Sequence, residues 1–388
     1  MNLRPLVFAA ALAAGPAQAQ DLTLGFLGAE TGPFVSLSKT NEVAVRIAVD
    51  EINAAGGVNG RKLRYVAFDT AGNPGQTVVG LRKFAEDDKV LAIVGPFSSG
   101  QVQVAAPAAD RAGVVVMSMA SSAPKLVASS QYAFRNTSDE GYMFSRVMQT
   151  LKNKRYPMAT AALAYANDDT ISQVMGTKVI PALMKQAGVD VKLSVDFKLQ
   201  AFDLSAQVSQ LKGTPTDLVG VGAPPEAAIK LAQELRRQGH NGRIVAGSTI
   251  NDPDLPQRMG KDGNGSVVPS AWFGELNDST RRFSAEFTKR AKAASLERTA
   301  ASQFDAASYD IVQYYAWAMR EAKVTGDPAR LAQERTAIRD ALRRMKNFSA
   351  LEGSVSFGAD HDALKPVYVQ EVRDGKWVLL ESHPGPQQ

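Results

Sequence analysis

The sequence predicts an α/β protein made of two similar, doubly wound parallel-sheet lobes joined by three hinge crossings. Three observations carry this. Short β-branched runs alternate with amphipathic helical stretches every roughly 25–30 residues, the pattern of a parallel sheet with helices on both faces. The alternation runs once through the first 137 residues and again from about 159 to 247, without obvious sequence identity between the two series. After Trp272 it gives way to three helical stretches and a closing hairpin, too little for a third lobe.

The first series opens with a strand at Leu22–Leu27, then the turn-rich loop Gly28–Phe34. Ala44, Ile47, Ala48, Ile52 and Ala55 fall on one helical face, and Gly56-Gly57 stops that helix. A strand at Leu63–Phe68 follows, then a helix from Asn73-Pro74 through Glu86, a strand at Leu91–Gly95 and another at Val114–Ser118. Tyr132–Asn136 reads as a connecting strand. The second series has strands at Ala159–Ala166, Asp190–Phe197, Asp217–Gly222 and Arg243–Gly247, with helices at Ile171–Gln186, Leu204–Leu211 and Glu226–Gln238. Ser266–Trp272 is an extended crossing; Ser279–Ala294, Ala301–Ala322 and Leu331–Met345 are amphipathic helices. Ser354–Phe357, Pro366–Val372 and Trp377–Leu380 are strands, the last two joined by the turn signal Asp374-Gly375. The economical division gives lobe one residues 20–137 and 270–345, lobe two residues 138–269 and 346–385, and a loose tail at 386–388.

The amino terminus carries one positive charge at Arg4, an apolar stretch Leu6–Ala14 and the small-residue site Ala17-Gln18-Ala19. This is the pattern of a secretory signal peptide, residues 1–19, cleaved after Ala19, and implies export to the periplasm. No internal apolar run reaches the about 18 residues of a membrane span. The chain has 388 residues and no cysteine, which excludes disulfides, thiolate catalysis and cysteine-held metals. Its net charge of +5, +4 once Arg4 leaves, is spread as short pairs such as Lys154-Arg155 and Arg343-Arg344, with no stripe that would track nucleic acid.

Catalytic patterns are missing. There is no Walker A run, no G-x-G-x-x-G spacing and no G-x-S-x-G elbow. His240, His361 and His383 fall in expected loops or the tail without partners at ligand spacing, and read as surface histidines. Asp168-Asp169 reads as a helix N-cap with a first-turn acid rather than a catalytic dyad. The expectation is a binding protein, not an enzyme, with no cofactor and no metal.

The binding site is expected where two loops leave strands of lobe one, Pro96–Gly100 and Met119–Pro124. Both lie at the carboxyl edge of a parallel sheet and lead into helix starts, whose free N–H groups attract anions.

Several stretches resemble one family: Thr31-Gly32-Pro33; the run Asp50-Glu51-Ile52-Asn53-Ala54-Ala55-Gly56-Gly57-Val58-Asn59-Gly60; Asp69 and Pro74; and Ile93-Val94-Gly95-Pro96-Phe97-Ser98-Ser99-Gly100. Phe134-Arg135, Tyr309-Asp310, Phe357 and Asp374-Gly375-Lys376 fit the same pattern later on. The chain is similar, over nearly all its mature length, to the periplasmic solute-binding proteins of ABC importers, of the leucine/isoleucine/valine-binding type with the type I two-lobed fold. The resemblance implies that a ligand carboxylate is held by Ser98, Ser99, Ala120, Ser121 and Ser122 beside Phe97. It implies that Leu37, with Phe34 close by, packs over the ligand body, and that the second lobe contributes from Tyr165, Asp169 and Thr170, from Ala223 and Pro224, and from Thr249 and Ile250. Amino-acid binders place an acid after the fourth strand of lobe two for the ligand ammonium; here Gly247-Ser248-Thr249-Ile250-Asn251 has none before Asp252. Because a buried ammonium without a counter-charge is costly, the expected ligand is a small organic acid, aromatic acids included. A branched-chain or other hydrophobic amino acid is the alternative, should Asp252 or Asp169 reach in. The implied partners are the permease and ATPase of an ABC importer, the protein itself being a monomer; a sensor for a membrane receptor is the rival role.

Overall fold

The computed structural model describes residues 21–386; the expected signal peptide and cleavage site, and the last two residues, lie outside them. The first sheet is built from β1 (Leu22–Gly28), β2 (Leu63–Asp69), β3 (Ala92–Val94), β4 (Val115–Ser118) and β5 (Ala133–Arg135). Its order is β2-β1-β3-β4-β5, and every pair is parallel. Strands β1, β3, β4 and β5 are buried throughout, Leu22, Leu24, Ile93, Val94 and Val115 being at most 1% exposed, while edge strand β2 is partly exposed. Continuous apolar runs rather than alternation are what a sheet covered on both faces requires. Fully burying such a side chain contributes about 1.5–3 kcal/mol.

The second sheet takes β6 (Thr160–Ala166), β7 (Asp190–Phe197), β8 (Leu218–Gly222), β9 (Arg243–Ala246) and β10 (Val267–Ser270). Three short strands follow, β11 (Phe348–Ala350), β12 (Gly353–Phe357) and β13 (Ala363–Leu364), and then β14 (Val367–Arg373) and β15 (Lys376–His383). The order is β15-β14-β10-β9-β8-β6-β7; β14 runs antiparallel to β10, and β15 antiparallel to β14.

The chain passes between the sheets at three places: after β5, after β10, and between β13 and β14. The helices Asp278–Ala293, Gln303–Glu321 and Leu331–Arg344 return to the first sheet, where Phe304, Ile311, Tyr315 and Leu342 join its core and Phe283 and Phe287 pack with Ile47. Val355, Phe357 and Ala363 of β12 and β13 also belong to that first core. The stretch 346–364 therefore sits with lobe one, and the third passage comes later than the sequence division at 346.

Other expectations are corrected. Glu140–Asn153 is a helix where the sequence pattern predicts none; Asp139 caps it through Gly141 N (2.8 Å) and Tyr142 N (3.1 Å), and Phe144, Val147 and Leu151 bury one face in the second lobe. Tyr132–Asn136 is more than a connector, since β5 is a full edge strand of the first sheet. His383, expected in a loop or the tail, ends β15, and its Nε2 lies 2.8 Å from Thr150 Oγ1. None of the histidines is a surface residue: His240, His361 and His383 are 5%, 6% and 6% exposed. His361 stacks on Phe134 at 4.2 Å, because the Arg135–Asp362 ion pair pulls that loop onto β5.

Candidate functional site

The two lobe-one loops are held rigidly before any ligand is considered. At Gly95 the backbone turns with φ +103°, and a Cβ there would sit 2.4 Å from Leu27 O, so only glycine fits. Ser98 opens the helix Ser99–Ala112 with a reciprocal capping box: its Oγ accepts from Gln101 N (3.3 Å) and Gln101 Oε1 accepts from Ser98 N (3.0 Å). Gln101 Nε2 in turn donates to Thr70 Oγ1 (2.6 Å) and Thr77 Oγ1 (2.8 Å), fixing this loop to the end of β2. The second loop hangs on Ser118, whose Oγ accepts from Ala120 N (3.3 Å) and Ser121 N (3.1 Å), and on Arg135, which donates to Ala123 O (2.6 Å). Ser99 Oγ links the two loops by accepting from Ala123 N at 3.4 Å.

The serines thus divide by role. Ser98 is a cap. Ser122 is turned toward Glu140: Glu140 N donates to Ser122 O at 3.0 Å, and the Ser122 side chain favours the charged form of the Glu140 carboxyl. Ser121 is 1% exposed, and its hydroxyl has no partner among the described residues. An orphaned buried hydroxyl costs about 1–3 kcal/mol unless something else satisfies it. The first N–H groups of the Ser99–Ala112 helix, on Ser99 and Gly100, cannot be used within the helix.

Lobe two meets these loops closely. A methyl on Gly100 would lie 3.6 Å from Thr170 Oγ1, so the helix start at Ser99 faces the helix start at Thr170. Asp169 caps that second helix, its Oδ2 accepting from Ser172 N (2.9 Å) and Ser172 Oγ (2.6 Å), and Asp168 accepts from Leu199 N at 3.0 Å. Tyr165 lies half-buried against Gly176, where a Cβ would come within 2.4 Å of its ring. Pro224 is the N-cap of the helix Pro225–Arg237, and Ala223 and Ile250 are buried, 4% and 1% exposed. Thr249 is half-buried in the short turn Ser248–Ile250.

The apolar body of the site is largely aromatic. Phe34 packs on Phe97 at 5.8 Å, and Phe97 meets Phe304 edge-on at 5.3 Å. Leu37 is 2% exposed and packed within lobe one, its carbonyl receiving Arg298.

Four residues that matter here were not singled out from the sequence: Glu140, Arg298, Gln303 and Phe304. Glu140 is wholly buried and accepts from Ser248 N and from Ser248 Oγ (2.9 Å). Burial pushes its carboxyl up, opposed by the Ser248 amide and the Ser122 and Ser248 hydroxyls. Gln303 Nε2 donates to Ser248 O at 2.6 Å, so Ser248 is held from both lobes. Arg298 donates to Ala300 O (2.7 Å), pairs with Asp305 (2.6 Å) and with Thr40, and lies 4.0 Å from Asp252. The Ser302–Asp305 capping box before an apolar run was the one available signal for Gln303 and Phe304.

A cavity of about 350 Å³ opens between the lobes beside this network. Val35, Lys39 and Thr40 line it from lobe one, and Glu226, Asp252 and Arg258 from lobe two. Among the described residues no group of three or more His, Asp or Glu side chains is placed to hold a metal.

Two parallel-sheet lobes hinged at three passages, with loops from both converging on a cleft, define a ligand-binding protein of the closing type. Comparison with known proteins agrees. The family model described as "Periplasmic binding protein" matches residues 21–376. The chain belongs to that family, whose members are extracytoplasmic solute-binding proteins. A Leu/Ile/Val-binding protein of Rhizobium johnstonii is 26% identical over 373 residues, covering 93% of this chain and 95% of that protein. The branched-chain amino acid transporter substrate-binding protein of Streptococcus pneumoniae, solved with isoleucine, superposes with a TM-score of 0.81 at 24% identity, covering 95% of this chain and 100% of that one. An ABC-transporter solute-binding protein of Rhodopseudomonas palustris, solved with 3,4-dihydroxybenzoic acid, gives 0.81 at 16% identity, covering 95% and 98%.

Proposed function

We propose that this chain is the exported solute-binding component of an ABC importer and that it captures a small carboxylate without an α-ammonium by closing its lobes. The Ser121 hydroxyl carries the reading: a buried donor without a partner among the described residues, in the loop that Ser99 ties to the helix start bearing the open N–H groups of Ser99 and Gly100, fits an anionic oxygen. Ser99 Oγ adds a further contact. Phe34, Phe97 and Ile250 supply apolar surface for the ligand body, with Leu37 packed behind them and Tyr165, Thr170, Ala223, Pro224 and Thr249 closing from lobe two.

The acids of these loops argue against an ammonium. Asp169 caps a helix, Asp168 holds Leu199 N and Glu140 holds Ser248. Each already answers to the protein, so a ligand ammonium would be buried without a counter-charge of its own. The structural likeness to an aromatic-acid binder supports this reading, and the likeness to isoleucine and leucine binders supports the amino-acid alternative. The function needs no covalent step. Ligand contacts to both lobes stabilise the closed form, which the permease recognises before its ATPase drives uptake. Export through the signal peptide, cleavage after Ala19 and a monomeric state complete the proposal.

Isothermal titration against benzoates, cinnamates, short fatty acids and amino acids tests it. Binding of aromatic or aliphatic acids is expected. Tight binding of leucine or valine alone, with no simple acid bound, overturns the ligand assignment and leaves the transport role standing.

A further inference from the structure

Asp252 and Arg298 form a charged contact that only lobe closure can create. Arg298 is anchored on lobe one by Asp305, Thr40 and the carbonyls of Leu37 and Ala300. Asp252 is carried by lobe two, after β9, where its Oδ1 accepts from Asp254 N at 2.9 Å and its carbonyl accepts from Trp377 Nε1 at 2.8 Å. Brought together, the two leave Asp252 only 3% exposed. Yet the facing Nε of Arg298 stays 4.0 Å from Oδ2, beyond hydrogen-bond reach.

The other charges around the carboxylate do not improve matters. Asp254 and Glu226 stand on its own lobe and repel it. Arg258 is paired with Glu226 at 3.3 Å, and Lys39 and Glu297 line the same cavity from lobe one with opposite signs. On closing, the carboxylate therefore gives up its water for a guanidinium held slightly too far away and for two like charges.

We infer that closure of this protein is proton-linked, the proton being taken up at Asp252 as the lobes shut on it. The inference rests on the lobe closure proposed above. Enclosed, the carboxyl is pushed up from 3.8 to about 6, chiefly by burial, with Arg298 opposing. Hydrated in the open form, it returns toward its ordinary value. The closed form then binds the proton more tightly, so closure is favoured as pH falls through 6 and opposed above it. Between pH 7.5 and pH 5 the closed-to-open ratio is expected to rise about tenfold. A binding protein built this way holds its ligand harder in a mildly acid medium.

The absence of cysteine allows a direct test on the full-length mature chain. Val79 and Phe202 are 54% and 96% exposed, one on each lobe, so Val79→Cys and Phe202→Cys provide two spin-label sites. Pulsed electron resonance on the ligand-free protein, and with benzoate or leucine at saturation, gives the populations of short and long inter-lobe distances from pH 5 to 8. The short-distance population should grow as pH falls, and Asp252→Asn should hold it at its acid value at every pH. Glu30, pushed up to about 7 beside Glu42, lies within lobe one and is unchanged in that variant, so a response surviving in Asp252→Asn belongs to another group and overturns the inference. Asp252→Ala repeats the comparison should the asparagine form fail to fold. A distance that shifts with benzoate or leucine but not with pH overturns the proton linkage alone. One that shifts with neither overturns closure itself, and the linkage with it.

Discussion

Loss of Lys365 is predicted to be severely damaging. The residue lies at the third passage between the lobes and is 0% exposed. Its Nζ donates to Glu352 Oε2 at 2.5 Å and to Asn136 O at 2.5 Å, so one ammonium ties the third passage to the first. Glu352 is also wholly enclosed, and its Oε1 has no partner among the described residues. Asp310 is close by, accepting from Leu351 N (3.0 Å) and Glu352 N (3.3 Å); burial and then the Glu352 charge push it well above the usual carboxylate range. Lys365→Met keeps the chain length and removes the only cation in this group of contacts, leaving two buried acids facing each other. Breaking a buried pair from one side costs about 3–5 kcal/mol, and that loss is expected here. The measurement is equilibrium unfolding in urea followed by circular dichroism and tryptophan fluorescence, whose coincidence checks that one transition is being measured. In the variant both acids take up protons more readily when folded than when unfolded. Their contribution is then present at low pH and lost as pH rises through the raised folded values, so the gap to the parent should narrow from pH 8 to pH 5. Lys365→Met combined with Glu352→Gln should recover most of the loss. A single variant within about 1 kcal/mol of the parent would refute the reasoning, as would a double variant as weak as the single one.

The serines of the second loop should separate by assay. Ser121→Ala is expected to weaken a carboxylate found in the titration panel by about 1–3 kcal/mol with little change in unfolding, whereas Ser122→Ala should act mainly on stability through Glu140; equal affinity losses in the two would remove the distinction. Burial pushes the imidazole of His361 down, aided by the charge of Arg343. Its contribution is therefore present above the unfolded value of about 6.5 and lost as pH falls through the lower folded one. The loss of stability from pH 7.5 to pH 5 should be smaller in His361→Asn, and an unchanged slope would exclude it.

Much of the architecture was readable because it depends on local pattern. Apolar runs of four to seven residues, glycine stops and helical spacing located the parallel strands of both lobes within a residue or two, and Asp374-Gly375 marked the final hairpin. The Glu140–Asn153 helix escaped because its polar opening, Glu140-Gly141-Tyr142, hides an apolar face that shows only when Met143, Phe144, Val147 and Leu151 are read together. The short strands β11 and β13, two or three residues long, carry no periodicity to find. The histidines were misjudged for the same reason: their burial comes from strands and loops that are distant in sequence.

By itself the sequence determined the two-lobed α/β class and the family, since these follow from spacing and from turn and cap residues near in the chain. Only the tertiary structure decided what each polar group in the two lobe-one loops does. Ser98, Ser121 and Ser122 are alike in sequence, yet one caps a helix, one has no partner for its hydroxyl among the described residues and one holds Glu140. Asp252 faces an arginine 46 positions along the chain, across a cleft that exists only once both lobes have folded. A side chain's chemistry is set by the groups that replace its water, and those are supplied by whatever the fold brings near it.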